Sequence, residues 1–549
     1  MGKITVFTAK RIHTMTDAAP YASAVAVRDG LIVEAGTLDT LRPWLEVHNH
    51  TIDTRFADKI IMPGFIDPHL HPFIGAILLP TNFITAFEWN LPNKHIPATR
   101  GHDEYLAELA RQFAADDNSK PLFVSWGYHQ IWHGEVTRAQ LNDISTTRPV
   151  LVWHRSFHEF ILNDAAIDTL GIDRGMMARH PQINAETGRF SETGAMATIA
   201  ALKPILFAPD WFGEGLERLH EVLHHGGLTT VADMAWGIFD YEMEWAAYAG
   251  TMAQNAPPYR CMMIPRGLPD PELTGSADEA FGRVEALANR GTERLFFDRH
   301  VKFFADGAVF SELAQFDAPG FIDGHHGEWM TAPEQFEEII RPYWRAGYRI
   351  HVHCSGTLGH ELALDVLDKM QSEHPRFDHR FSIEHFGFST EEQVHRIKTL
   401  GAVVSANPFY VHELSDAYWK HSVGFERASQ MVRLGALARA DVPFALHSDY
   451  TMAPAQPLML AWVAVNRLSE NGEVMCENER ISVHDAMKAI TINAAYVLGQ
   501  EGSLGSIRAG KKADFTVLGE DPYEVDPMHL KDIRVHATVF EGVVHDIDR

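Results

Sequence analysis

Cysteine is nearly missing from this 549-residue chain, which carries only Cys261, Cys354 and Cys476. The three are far apart, so neither a disulfide framework nor a paired-thiolate zinc site is expected. Cationic side chains are also short in supply, with 47 lysines and arginines against 73 acidic residues and a formal charge of −26. Nucleic acids and anionic membranes both need surface of the opposite sign, so neither is expected as a partner. No apolar run approaches about 18 residues, so no membrane-spanning helix is expected. The opening MGKITVFTAKRIHTM lacks the long apolar core and small-residue cleavage site of a secretory leader. A cytoplasmic, reducing location follows as an expectation. Internal repeats and low-complexity tracts are lacking as well.

What is present is the material of a globular protein, 46% hydrophobic and 22% charged, with enough core to hold a site without disulfides. Both ends of the chain read as short strands. Asp29-Gly30 lies between YASAVAVR and LIVEAG, and Glu541-Gly542 lies between two apolar runs near the C-terminus, each as a hairpin turn. The two ends are therefore expected to build one small β-sandwich domain from residues 1–60 and 500–549. The domain between them spans residues 61–499.

That middle domain alternates apolar strand-like runs with helical stretches such as 276–291 and 332–347, the rhythm of βα units around a parallel sheet. The strand-like runs are 59–67, 227–234, 259–265, 299–307, 348–354, 380–385, 401–408 and 442–449. Eight such runs predict a (β/α)8 barrel of the TIM type. The stretch at about 80–226 is too long for a βα loop. It contains PLFVSWGYH (121–129) and RPVLVWHRSFHEF (148–160), so it is expected to be an insertion with strands of its own.

Histidines and other metal-ligating side chains fall at the C-terminal ends of these runs, where barrels of this kind place their active sites. The first run ends His69-Leu70-His71, and alternation in an extended chain lets both imidazoles face one ion. Alone, such a pair is as well explained by chance or structure in a chain with 32 histidines. The fourth run holds Lys302, with Asp306-Gly307 after it. A lysine inside an apolar strand has its ammonium form disfavoured. It is either half of a buried Lys–Asp pair or an amine that takes up carbon dioxide to give a metal-bridging carbamate. The fifth run ends His351-Val352-His353-Cys354, the sixth Glu384-His385 and the eighth His447-Ser448-Asp449. Alternation does not separate His351 from His353, since both face the same way.

The set resembles the amidohydrolase superfamily, and within it the branch of YtcJ-like proteins and N-substituted formamide deformylases, over nearly the whole chain. Met62-Pro63-Gly64-Phe65-Ile66-Asp67-Pro68-His69-Leu70-His71 is similar to the superfamily's first strand end, and Val301–Gly307 to the branch's lysine motif. Ile383-Glu384-His385, Ser448-Asp449, the segment 491–495 and the segment 505–514 are similar to later motifs. The resemblance implies two divalent ions, with zinc expected from ligands that lack thiolate. It places His69 and His71 on the more buried ion, a carboxylated Lys302 as bridge, and His353 and His385 on the second ion. Asp449 would ligate the first ion and move protons. His353 is preferred over His351 because Cys354-Ser355-Gly356 follows it, as in the family's HxxG pattern. Three positions depart from the family: Gly356-Thr357 replaces Gly-Asp, His447 replaces a small residue before Ser-Asp, and Tyr450-Thr451-Met452 replaces a small-Pro continuation. The departures bear on the substrate more than on the metal.

An ion of this kind lowers the pKa of water from 15.7 to about 7, so hydroxide becomes available at neutral pH. Hydrolysis of a small molecule at an amide, N-acyl or N-formyl carbon–nitrogen bond is the expected reaction. Deamination of a ring amine is the alternative, although the HxxE of such deaminases is not found after His353. A binding protein on a degenerate barrel would lack ligands, and none is lacking here. Within the insertion, His158 and Asn163 resemble the branch's SxHxxxxN segment, and Trp126, Tyr128, His129 and Trp132 form an aromatic patch. His158, Asn163, Trp126 and His129 are candidates to line a substrate pocket, with ordinary packing the competing explanation. Homo-oligomers are common in the family, so self-association is a further possibility.

Overall fold

The computed structural model describes residues 2–269, 275–288 and 290–547. Residue 289 of the expected helical stretch and residues 548 and 549 of the C-terminal segment lie outside the described residues. The chain forms two compact units, one of Met1–His71 and Leu223–Arg549 and the other of Pro72–Val222.

In the first unit, strands from both ends of the chain join one eight-stranded sheet. Its order runs Val543–Asp546, Val535–Phe540, Phe515–Leu518, Ile60–Pro63, Ile4–His13, Tyr21–Arg28 and Leu31–Gly36, with His50–Asp53 pairing alongside Ile4–His13. Two tight turns fix its register. Asp29 and Gly30 have φ of 53° and 76°, and Glu541 and Gly542 have 50° and 80°. Positive φ at both central positions matches the right-handed twist of the flanking strands, which is why Gly is needed at the second. One face packs Phe7, Ile12, Val25, Phe515 and Val539. On the other, Ile4, Val6, Ala24 and Ala26 meet Leu41 and Leu45 of the helix Leu38–Val47.

The remaining strands of this unit form two wholly parallel sheets. The four-stranded one runs Leu295–Phe297, Arg260–Pro265, Leu228–Trp236 and Phe65–Leu70. The five-stranded one runs His300–Phe304, Arg349–Cys354, Ser382–His385, Val403–Ala406 and Phe444–Leu446. Helices such as Tyr241–Asn255, Ala277–Leu287, Pro333–Arg345, Thr357–Glu373 and Glu391–Leu400 connect them. Their strands are buried on both faces, as crossover helices require. A parallel bridge between Arg266 and Lys302 joins the sheets at one side. At the other, Asp449 N donates to His69 O at 2.9 Å and His71 N to Tyr450 O at 3.1 Å.

The run 59–67, read as one strand from sequence, is divided by the structure. Ile60–Pro63 belongs to the terminal sheet and Phe65–Leu70 to the parallel one. Gly64 sits at the junction, where a Cβ would fall 2.1 Å from Thr229 Oγ1.

The second unit has its own six-stranded sheet, ordered Ile183–Asn184, Arg189–Ser191, Glu159–Leu162, Val150–His154, Phe123–Tyr128 and Asn82–Phe83. Phe123, Val150, Val152 and Ile161 of this sheet pack with Tyr105 and Leu109 of the helix His102–Ala115. Among the described residues, no helix is long and apolar enough to cross a membrane.

Candidate metal centre

The ends of the parallel strands bring four of the expected ligands together directly. The His69 and His71 rings are 5.3 Å apart. Asp449 faces both, its Oδ1 lying 3.1 Å from His71 Nε2 and 3.6 Å from His69 Nε2, and its Oδ2 lies 3.5 Å from His385 Nδ1. One ligand atom each from His69, His71 and Asp449 lie within 4.8 Å of one another, and so do atoms from His69, His385 and His447. His353 adjoins this set, with its ring 4.4 Å from that of His385 and its Nε2 3.0 Å from Ser355 Oγ.

Lys302 is fully buried, and its Nζ makes no hydrogen bond. The Lys302–Asp306 pair considered from sequence is not formed. Asp306 instead accepts from the backbone N–H groups of Ser355, Gly356 and Gln315 at 2.7–2.9 Å. Burial lowers the Lys302 amine to about 8 against the pull of Glu384 and Asp449. Burial also holds His69 and His385 well below the usual histidine value, reinforced by Lys302 and neighbouring imidazoles. Both rings are therefore neutral, the form that ligates.

These residues fit a divalent cation on their own chemistry. His69 Nε2, His71 Nδ1, His385 Nδ1, His447 Nε2 and Lys302 Nζ are buried without a hydrogen-bond partner. Each such atom costs about 1–3 kcal/mol when left unsatisfied, and two of them, His69 Nε2 and His385 Nδ1, lie 3.6 and 3.5 Å from the Asp449 carboxylate. Imidazole and carboxylate donors without thiolate suit Zn²⁺ among the common ions.

A second set of buried polar residues holds the first in place. Glu384 Oε2 accepts from His69 Nδ1 at 2.6 Å, and its Oε1 accepts from His351 Nδ1 at 2.7 Å and from Ser382 Oγ at 2.6 Å. His300 Nδ1 lies 2.8 Å from His351 Nε2 and continues the chain. Burial pushes the Glu384 carboxyl up, but the His351 hydrogen bond and the charges of His351, Lys302 and His447 outweigh it and hold it well below the usual range. Asp67 accepts from Ser448 N, Ser448 Oγ and His69 N, tying the strand end that carries Asp449 to the one that carries His69. Burial raises both Asp67 and Asp306 to about 7, against the hydrogen bonds they accept. His385 and Asp449 take left-handed φ values of 68° and 51°, conformations that cost about 1–3 kcal/mol and cluster at functional sites.

Reasoning from sequence gave no role to Glu384, His351, His300 or Asp67. The signal was there in the spacing. His300, His351, His447 and Asp67 each stand two residues before an expected ligand, so in an extended strand they face the same side.

The other candidates lie in the second unit. Trp126 is fully buried, with its ring 4.8 Å from that of Phe83 and 5.5 Å from that of Trp89. Asn163 is also buried. Its Oδ1 accepts from Val150 N and Ala166 N and its Nδ2 donates to Ser145 O and Arg148 O, so the amide is spent on its own sheet and helix rather than on a ligand. The His129 side chain accepts from Ile131 N, and its ring lies 4.6 Å from that of Trp132. His158 is half-buried, and its backbone N–H donates to Ser156 Oγ.

Comparison with known proteins gives a consistent picture. A family model described as "Amidohydrolase family" matches residues 57–545. The putative amidohydrolase YtcJ of Bacillus subtilis (strain 168) is 26% identical, over 97% of this chain and 97% of its own. The N-substituted formamide deformylase of Arthrobacter pascens is 22% identical, over 95% of this chain and 94% of its own. Among solved structures, an uncharacterized metal-dependent hydrolase from Pyrococcus horikoshii OT3 superposes with a TM-score of 0.74 at 20% identity, covering 96% of this chain and 99% of that one. That last likeness is one of fold.

Proposed function

From this chain's membership of the amidohydrolase family, whose model covers it from residue 57 to residue 545, we propose that it hydrolyses a carbon–nitrogen bond in a small molecule. Amides, N-acyl and N-formyl compounds are the substrate classes, the last supported by the deformylase of Arthrobacter pascens. The observation that carries the reading is the convergence of His69, His71 and His385 on Asp449, with His69 Nε2 and His385 Nδ1 buried and without a hydrogen-bond partner. His69, His71, Lys302, His353, His385 and Asp449 would hold two divalent ions, zinc in the first instance. Such ions, when bound, acidify water and polarise a carbonyl oxygen.

The residues themselves do the rest. Asp449, beside both histidines of the first strand, accepts the attacking water's proton and delivers it to the departing nitrogen. That delivery is necessary, because an unprotonated amide anion is a very poor leaving group. Lys302, at about 8, holds a neutral fraction near pH 7. Its Nζ could attack carbon dioxide, forming an N–C bond as a carbon–oxygen π bond opens and giving the ammonium proton up to solvent, and the resulting carbamate would offer two oxygen donors to the metal centre. Glu384 fixes the His69 tautomer, and Asp67 and Asp306 anchor the strand ends.

The same reading extends to the architecture. The two parallel sheets are taken as arcs of one (β/α)8 barrel, supported by the Arg266–Lys302 bridge and the Asp449–His69 backbone bond. The terminal strands are taken as a sandwich-like domain. Three free cysteines fit a reducing, cytoplasmic location.

Metal analysis of the purified protein, followed by a screen of N-formyl, N-acyl and N-aryl amides with the metal-loaded enzyme, tests the function. Bound divalent metal and turnover of at least one amide class are expected. Ring amines deaminated while every amide is untouched would hand the site to the deaminase reading.

A further inference from the structure

One buried imidazole beside the proposed centre is left without a role by the family pattern. His447 follows the strand Phe444–Leu446, two residues before Asp449, and is fully buried. Its Nδ1 is held by Ser405 Oγ at 2.7 Å, while its Nε2 has no hydrogen-bond partner. Its ring lies 4.3 Å from that of His69 and 5.3 Å from that of His385. Donor atoms of the three residues lie within 4.8 Å of one another. Two nitrogens bound at about 2.1 Å to one tetrahedral ion would stand about 3.4 Å apart, so side-chain adjustment of about an ångström brings His447 to the metal centre.

The arrangement repeats that of His69. In each ring Nδ1 is tied to an oxygen, Glu384 for His69 and Ser405 for His447, which leaves Nε2 for another partner. Outer hydrogen bonds of this kind set the tautomer and aim of metal-ligating histidines. Space-filling alone does not call for an imidazole here, since a buried nitrogen without a partner costs about 1–3 kcal/mol.

We propose that His447 Nε2 is an additional nitrogen donor to the metal centre, acting with His69 and His385. The proposal rests on the metal-centre reading above. An extra imidazole shifts the donor set away from oxygen, which favours Zn²⁺, Co²⁺ or Ni²⁺ over Mn²⁺.

Titration of the chelator-stripped full-length protein with Co²⁺, followed by visible absorption and by metal content after gel filtration, tests this without any substrate. His447→Ala should weaken part of the Co²⁺ binding by at least about tenfold and alter the intensity and position of the cobalt bands. Added 4-methylimidazole, which fits the space vacated, should restore both. Should the alanine variant unfold by circular dichroism, His447→Gln keeps the volume and is read in the same titration, with the same loss expected. Unchanged affinity and bands in a folded variant, or a loss that 4-methylimidazole does not mend in folded His447→Ala, would overturn the proposal alone. Wild-type protein that takes up no Co²⁺ would overturn the metal-centre reading and the proposal with it.

Discussion

Glu384 accepts a hydrogen bond from His69 Nδ1 at 2.6 Å, and so decides which nitrogen of that imidazole is left for a cation. The same carboxylate accepts from His351 through its other oxygen. Two histidines two residues before and at expected ligand positions are thus oriented by one buried acid. Replacement by glutamine keeps the shape but sets an N–H₂ against one of the two imidazole donors. Glu384→Gln should weaken metal binding about 10- to 100-fold, measured as metal retained after dialysis against a graded chelator. Retention equal to that of the wild type would show that the acid does not position the ligand.

Gly64 gives a test of the joint between the terminal and parallel sheets. A methyl group there would lie 2.1 Å from Thr229 Oγ1 and 2.9 Å from Thr229 Cβ. The latter is anchored to the backbone of the Leu228–Trp236 strand and has little freedom to retreat. Gly64→Ala should destabilise the protein by about 1–3 kcal/mol, the usual cost of overpacking a core. Adding Thr229→Ala should recover part of the loss, read from urea unfolding midpoints. A Gly64→Ala protein as stable as the wild type would mean the close approach is not real.

Much of this was legible in the chain, and the limits have physical causes. Each of the eight apolar runs contains a strand, since burial on both faces leaves continuous hydrophobic stretches. The Asp29-Gly30 and Glu541-Gly542 turns were readable because few other dipeptides tolerate two left-handed residues in a row. The division at Gly64 was not readable. Nothing local says that one apolar run serves two sheets, which is decided by its distant partners Thr516 and Thr230. Glu384 was likewise hidden. Its role depends on a meeting with His69 across 315 positions of sequence, and strand alternation gives a facing direction but no partner.

Glu244 gives a pH-dependent test on a carboxylate that is not among the proposed ligands. Its carboxylate is buried in the helix Tyr241–Asn255, where it accepts from the N–H groups of Gly237, Phe239 and Asp240 at 2.6–3.1 Å. Burial nevertheless raises it from 4.5 to about 7. The folded chain therefore binds this proton more tightly than the unfolded chain does. Through this group, stability is greatest below about pH 4.5, falls as pH rises towards 7, and loses nothing more beyond that. The full span amounts to about 3 kcal/mol at most. Glu244→Gln removes the titration, so the stability difference between variant and wild type should move in the variant's favour between pH 5 and pH 8. A difference that does not change with pH would mean the carboxyl titrates as it does in the unfolded chain.

Asp449 carries the sharpest functional test. Its carboxylate stands 3.1 Å from His71 Nε2 and 3.6 Å from His69 Nε2, held in a left-handed backbone conformation at φ 51°. Asp67, through Ser448, ties that strand end to the one carrying His69. Asn at this position keeps an oxygen that can ligate but has no basic site to accept a proton. Asp449→Asn should therefore retain its metal while kcat on a responsive amide falls about 100- to 10,000-fold, the range that general acid–base catalysis contributes. Loss of metal together with activity would reassign Asp449 to ligation alone, whereas near-normal turnover with metal in place would move the proton-transfer role to another residue.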